Sequence, residues 1–416
     1  MSNSDLSSLT FSQPDPALRL EILKELGIVT DQNDSPEIEL TETSLLEAAQ
    51  QQTQLDDWGD ERFRVALRQL LESLNTEANL NILGRYLFRN YCIGLLVNRL
   101  KLQEDFKRYP EILQVPIKRP LFILGLGRTG TTFLHNLICQ DPNSRWLRLW
   151  ELYFPSPPPD GQIIETDPRI QQTKQLLEIL NQLVPQLASV HHINPVGPEE
   201  CNILFEHDFV SILFELRAHI PSYVNWQRTQ DWLSSYQYYR QQLQLLGWHF
   251  PGKHWVLKAP AHLFYLDALL RVFPDACIVW THRDPLKAIP SVCSLGAIFR
   301  SIYIDSVDLK QIGEHWLNRA VEQIESGMAV RDRTSGEQFY DVYYNDFIQD
   351  PIGTVRQIYT YFSYDFTPEH EANIKRWIAD NPKNKYGTHR YSLEAFGLDE
   401  TTVNQKFARY RQRFNL

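Results

Sequence analysis

The sequence predicts an α/β fold in which a parallel sheet is flanked by helices, with a helical N-terminal region and a helical insertion. Two observations carry that reading. Short, unbroken apolar runs begin at Leu121, Trp255 and Ala276, each followed by residues able to form a helix. Strands buried on both faces show no polar alternation, and strands separated by helical segments build parallel sheets. The second observation is a change of texture at Pro120. Before it the chain reads as helix with no chemical motif, and after it the first apolar run ends in a glycine loop.

Residues from about 15 to 115 are expected to be helical. Phe63, Leu67, Leu70, Leu71 and Leu74 recur at helical spacing, with Arg64, Arg68 and Glu72 opposite. Residues 1–115 are therefore read as a helical N-terminal cap region, and residues 116–416 as an α/β domain. Within that domain, 121–124 is the first strand and 131–140 the helix after it. Further strands are expected at 255–257, 276–280 and 339–344. A long insertion, about 152–250, separates the first two units. Its Tyr223, Trp226, Trp232, Tyr236, Tyr238 and Tyr239 suit either helix packing or the wall of an apolar pocket.

Hydrophobic residues make up 43% of the 416 and charged residues 22%, enough to bury a sizeable core. A formal net charge of −10 argues against a nucleic-acid partner, which would need a broad basic face. A cleft that binds a small anion remains compatible with it. The five cysteines, Cys92, Cys139, Cys201, Cys277 and Cys293, form no C-x-x-C pair and read as buried free thiols in a reducing compartment. The first residues lack a basic, then apolar, leader pattern, and no run approaches the ~20 apolar residues of a membrane span. A cytoplasmic location is expected.

The chemistry concentrates in Gly-Leu-Gly-Arg-Thr-Gly-Thr-Thr at 125–132, between the first strand and its helix. Glycines let the backbone turn tightly and aim several N–H groups at one anion, and a helix N-terminus adds partial positive charge. Arg128 contributes a full charge, and Thr131 and Thr132 contribute hydroxyls. The nucleoside-triphosphate loop G-x-x-x-x-G-K-[ST] would place lysine where Thr131 stands, which speaks against a P-loop kinase or nucleotidase. A non-catalytic nucleotide-binding module is the other alternative.

Residues 127–132 resemble the 5′-phosphosulfate loop of sulfotransferases that use 3′-phosphoadenosine 5′-phosphosulfate (PAPS), whose pattern is P-[KR]-[ST]-G-T-[ST]. The resemblance is closest to the bacterial-type branch and runs from about Leu121 to the C-terminus, with Gly127 replacing the frequent proline. It implies a P-loop-like fold and PAPS as donor co-substrate, with no metal. It also implies transfer of a sulfuryl group to a hydroxyl of a small, partly apolar acceptor. Arg128, Thr129, Gly130, Thr131 and Thr132 would then hold the 5′ side. Arg283 at a strand end and Ser291, eight positions later, match the family's 3′-phosphate pair. Lys385 and Arg390 lie in a basic stretch resembling the loop that closes over that phosphate. Lys258 matches a lysine that reaches the phosphosulfate. The general base is left between Glu151, which lies 23 residues past Arg128 as in some branches, and His262. His262 stands four residues after Lys258 rather than two. His191, His192, Glu199 and Glu200 form a further polar cluster, suited to loop capping or acceptor contact.

Overall fold

The structure, a computed structural model, describes residues 13–34, 36–161, 164–190, 193–382 and 391–416. Among the described residues the sheet has five parallel strands: β1 (Leu121–Gly125), β2 (Ser144–Arg145), β3 (His254–Lys258), β4 (Cys277–His282) and β5 (Phe339–Tyr343). Their order is β2-β3-β1-β4-β5. Leu121 opposes Val256 on one side and Cys277 on the other. Three of these strands, β1, β3 and β4, lie where the apolar runs predict them, and β5 lies within the strand expected at 339–344. β2 has no such run. It is a two-residue edge strand, paired through Ser144–His254 and Arg145–Trp255.

Strand β1 is buried at every position, so its alternate side chains feed two cores. Leu121 and Ile123 join Val256, Val279 and Val342 on one face. Phe122 and Leu124 join Leu257, Ile278 and Trp280 on the other. Each such large apolar side chain contributes about 1.5–3 kcal/mol on burial.

Helices α1 (Pro16–Glu25), α2 (Glu42–Thr53), α3 (Phe63–Thr76) and α4 (Ile82–Arg108) precede the sheet. On α3 the five apolar residues named above are buried while Arg68 and Glu72 are exposed. The Asn81 side chain accepts from the Gly84 N–H at 2.7 Å and so caps α4. Helix α5 (Thr131–Ile138) follows β1. Between β2 and β3 come α6 (Leu149–Tyr153), α7 (Pro168–Leu183), α8 (Leu187–Val190), a 3-10 segment at Cys201–Asp208, α9 (Leu213–Arg217), α10 (Pro221–Arg228) and α11 (Leu233–Gly247). The insertion is thus helical, and Tyr223, Trp232, Tyr236 and Tyr239 are buried in its packing.

Helix α12 (Leu266–Val272) joins β3 to β4. After β4 run α13 (Pro285–Tyr303) and α14 (Leu309–Arg331). Asp284 caps α13 by accepting from the Leu286 N–H at 2.9 Å, with Pro285 at the first helical position. The last elements are α15 (Tyr344–Gln349), α16 (Pro351–Tyr361), α17 (Pro368–Asp380), α18 (Glu400–Lys406) and α19 (Ala408–Phe414). A third apolar cluster joins α1, α4, α7, α8 and α13 through Ile22, Leu83, Leu183, Val190, Ile298 and Ile302. All five cysteines are buried and free. Among the described residues no helix is long and apolar enough to cross a membrane.

From β1 the chain builds β2 and β3 on one side and β4 and β5 on the other. The loops leaving the carboxyl ends of β1, β3 and β4 therefore diverge, and a crevice opens where a ligand is expected in such sheets.

Candidate active site

The glycine loop after β1 is fixed by its surroundings. A Cβ on Gly125 would lie 2.6 Å from the Thr281 carbonyl oxygen on β4, so no larger residue fits. Gly130, with φ +92°, caps α5 in the left-handed region. Arg128 has φ +71°, a conformation that costs a non-glycine residue on the order of 1–3 kcal/mol and often marks a working site. Two bonds hold it. Its Nη1 donates to the Val190 carbonyl at 2.7 Å, and its own carbonyl accepts from Arg283 Nη1 at 2.8 Å. Thr129 is fully buried, and its hydroxyl is engaged with the Leu126 carbonyl at 2.7 Å and Thr281 Oγ1 at 2.5 Å. It braces the loop from beneath rather than presenting its hydroxyl to the crevice. Thr131 is buried in the first turn of α5, whereas Thr132 is exposed there.

Arg283 leaves the end of β4 and lies over the Tyr344 ring, 3.9 Å from its centroid. That ring in turn would sit 3.2 Å from a Cβ at Gly130. Burial lowers the Arg128 pKa; Tyr391 opposes that shift, the Arg283 charge adds to it, and Tyr344 opposes it again. Arg128, Arg283, Tyr344 and Tyr391 thus share one place. Among the described residues neither arginine has a carboxylate partner. Ser291, on α13, is fully buried and its hydroxyl has no hydrogen-bond partner. Two adjacent cations without a counter-ion, an orphaned hydroxyl and a helix N-terminus together fit a phosphorylated ligand.

Lys258 ends β3 and is 1% exposed. Its Nζ donates to Glu200 Oε1 at 2.8 Å and stands 3.4 Å from Thr132 Oγ1. The structure therefore gathers Lys258, Glu200 and Thr132 at the mouth of the loop. The Glu200 side chain keeps 23% of its surface exposed. Glu199 is nearly buried, and its Oε1 accepts from the Glu200 N–H at 2.8 Å.

The two residues singled out as bases are placed differently. Glu151 is fully buried on α6. Arg145 grips it at 2.6 and 3.1 Å, and Oε2 also accepts from the Arg148 N–H at 2.8 Å. Both carboxylate oxygens are thus spent on tying α6 to edge strand β2. His262 is 1% exposed, with Nδ1 2.8 Å from Tyr236 OH and Nε2 3.2 Å from Cys201 Sγ. Burial lowers its pKa to about 3. The cavity beside it, lined also by Asn202, Phe205 and Tyr236, has a volume of about 10 Å³, room for roughly one water. His191, His192, Lys385 and Arg390 lie outside the described residues. Sequence reasoning left Tyr344 without a role and did not pair Glu200 with Lys258. Tyr344 is the second residue of a Tyr-Tyr pair at a strand end, and that position was its only signal.

The fold and the cradle define a class: an α/β enzyme that holds a phosphorylated nucleotide without the nucleoside-triphosphate lysine. Residues 120–368 match the model of the sulfotransferase family, and the chain belongs to that family. It is similar to solved sulfotransferases. STF1 from Mycobacterium tuberculosis H37Rv is 36% identical, with a TM-score of 0.80, over 90% of this chain and 100% of that one. STF9 from Mycobacterium avium is 29% identical, with a TM-score of 0.84, over 92% of this chain and 99% of that one. It is also 24% identical, over 309 residues, to the omega-hydroxy-beta-dihydromenaquinone-9 sulfotransferase Stf3 of Mycobacterium bovis, covering 70% of this chain and 74% of the relative. The protein is a sulfotransferase that takes a sulfuryl group from PAPS and places it on a hydroxyl.

Proposed function

We propose that the acceptor is a largely apolar alcohol and that Glu200 accepts its proton. The observation that carries the second point is the 2.8 Å contact between Lys258 and Glu200, beside Thr132 at the start of α5. It is a partly exposed carboxylate at the mouth of the phosphate loop, whereas Glu151 and His262 are enclosed and fully engaged. A carboxylate so placed contributes on the order of 10²–10⁴ in rate as general base.

In this reading the donor supplies the sulfuryl group and the chain supplies its holding. Arg128, Gly130, Thr131, Thr132 and the α5 N–H groups take the 5′ side. Lys258 answers charge on the departing phosphate. Arg283 and Ser291 take the 3′-phosphate, with Lys385 and Arg390 proposed to close over it. Thr129 acts through the loop's shape.

An apolar acceptor is supported by the third apolar cluster, whose Val190 carbonyl holds Arg128. Half-buried Leu87, Leu295 and Phe299 extend that cluster. The printed acceptor of the Stf3 relative, omega-hydroxy-beta-dihydromenaquinone-9, points the same way. The helical N-terminal region would cap the crevice, and the buried free thiols suit a cytoplasmic protein. Transfer from labelled PAPS to primary alcohols of rising chain length tests the acceptor class. kcat/KM should climb with each methylene added, by up to about 0.8 kcal/mol apiece. A flat series, or a preference for sugars, would overturn it.

A further inference from the structure

The arginine proposed to meet the 3′-phosphate is gripped from behind by helix α19. Arg283 stands between His282, which ends β4, and Asp284, which caps α13. His282 is fully buried, and its Nε2 donates to Asp341 Oδ1 of β5 at 2.8 Å. Arg331 of α14 in turn holds both Asp341 oxygens, at 2.6 and 2.7 Å. Burial lowers the His282 pKa, so the ring is neutral and its Nδ1 is an acceptor. The donor is the hydroxyl of Tyr410 on α19, 2.9 Å away. Burial pushes that phenol up, and a hydrogen bond from the Arg283 backbone N–H opposes the push. Phe414, one turn further along α19, stacks on the same imidazole with 4.0 Å between centroids.

The other neighbour of Arg283 is held from the same helix. Asp284 Oδ1 accepts from the Leu286 N–H at 2.9 Å and pairs with Arg411. Consecutive residues of α19 thus fix the two residues that flank Arg283. The helix is itself tied to α14, through Arg409–Glu325 at 2.6 Å and through Arg413–Asp332. From this fixed stem the Arg283 side chain reaches forward to the Arg128 carbonyl at 2.8 Å and the face of Tyr344. A guanidinium fork meets a phosphate through two parallel bonds, so a small turn of its stem breaks one of them. We infer that Tyr410 and Arg411 are positioning residues for the 3′-phosphate, setting where Arg283 leaves β4 and how its fork is aimed. The inference rests on the reading that Arg283 holds that phosphate.

Calorimetry with two nucleotides tests it: PAP, the desulfated product adenosine 3′,5′-bisphosphate, and adenosine 5′-phosphate, which lacks the 3′-phosphate. Tyr410→Phe and Arg411→Gln should each weaken PAP roughly three- to tenfold, the yield of one lost hydrogen bond to phosphate, and leave adenosine 5′-phosphate within about twofold of wild type. Arg413→Gln cuts a tie of the same helix that does not reach residues 282–284, so it should leave the preference for PAP intact. In an Arg283→Ala background, Tyr410→Phe should weaken PAP no further, since it acts through the side chain already removed. The retained affinity for adenosine 5′-phosphate is the check on folding. An unchanged preference in either variant, an equal loss of both nucleotides, the same loss in Arg413→Gln, or a further loss in the Arg283→Ala background would overturn the inference. A preference that survives Arg283→Ala alone would instead overturn the reading of Arg283 on which it rests.

Discussion

Glu200→Gln should lower kcat by about two to four orders of magnitude while leaving PAP affinity within a few-fold of wild type. The amide keeps the shape of the carboxylate and one acceptor for Lys258, whose Nζ now donates to Glu200 Oε1 at 2.8 Å, so the mouth of the loop should hold its geometry. What it removes is an anionic oxygen able to take a proton from the attacking hydroxyl. Single-turnover rates with saturating PAPS, paired with calorimetry of PAP, separate the two effects. Full kcat in the variant would remove Glu200 from the mechanism. A parallel loss of PAP affinity would show instead that Glu200 serves to position Lys258.

The second large effect falls on stability. Glu151→Gln should destabilise the fold by about 3–5 kcal/mol, because it leaves the 2%-exposed Arg145 guanidinium without its counter-charge. Arg145 also donates to the Leu246 carbonyl at 2.8 Å and the Phe250 carbonyl at 3.0 Å, so the damage should reach β2 and the end of α11. Denaturant midpoints read the loss. Combining it with Arg145→Met should recover part of it, since the double variant buries no unpaired charge. A Glu151→Gln protein of unchanged stability and greatly reduced kcat would identify Glu151 as the base and contradict the assignment to Glu200.

These two glutamates show how far the sequence is legible. The strands β1, β3 and β4 can be read because parallel strands buried on both faces leave continuous apolar runs, whereas edge strand β5 carries Asp341 and is buried only in part. Strand β2 cannot, because two residues at an edge carry no pattern. The Arg128 loop and the Arg283–Ser291 pair are local motifs, so sequence spacing alone is enough to nominate them. The base is not local. Whether Glu151 faces the crevice or Arg145 depends on how β2 docks, and whether Glu200 meets Lys258 depends on pairing across 58 residues. His262 looks available in sequence and becomes unavailable only when Tyr236 and Cys201 fold against its two nitrogens. Tyr344 gains a role only from the guanidinium stacked on it.

The most direct test of the central claim is a thermal-shift comparison of PAP with ATP and Mg²⁺, on wild type and Arg283→Ala. Arg128 and Arg283 are neighbours and neither pairs with a carboxylate among the described residues, and on α13 the buried Ser291 hydroxyl is unpartnered. Two or three charge-assisted hydrogen bonds to a 3′-phosphate, at ~1.5–3 kcal/mol each, should favour PAP by several kcal/mol before desolvation is subtracted. ATP carries no such phosphate and meets Thr131 where it needs a lysine. PAP should therefore raise Tm well above the ATP value, and Arg283→Ala should erase most of the difference while weaker binding through the Arg128 loop persists. Equal or greater stabilisation by ATP, or a PAP preference untouched in Arg283→Ala, would contradict the assignment of this crevice to the PAPS nucleotide.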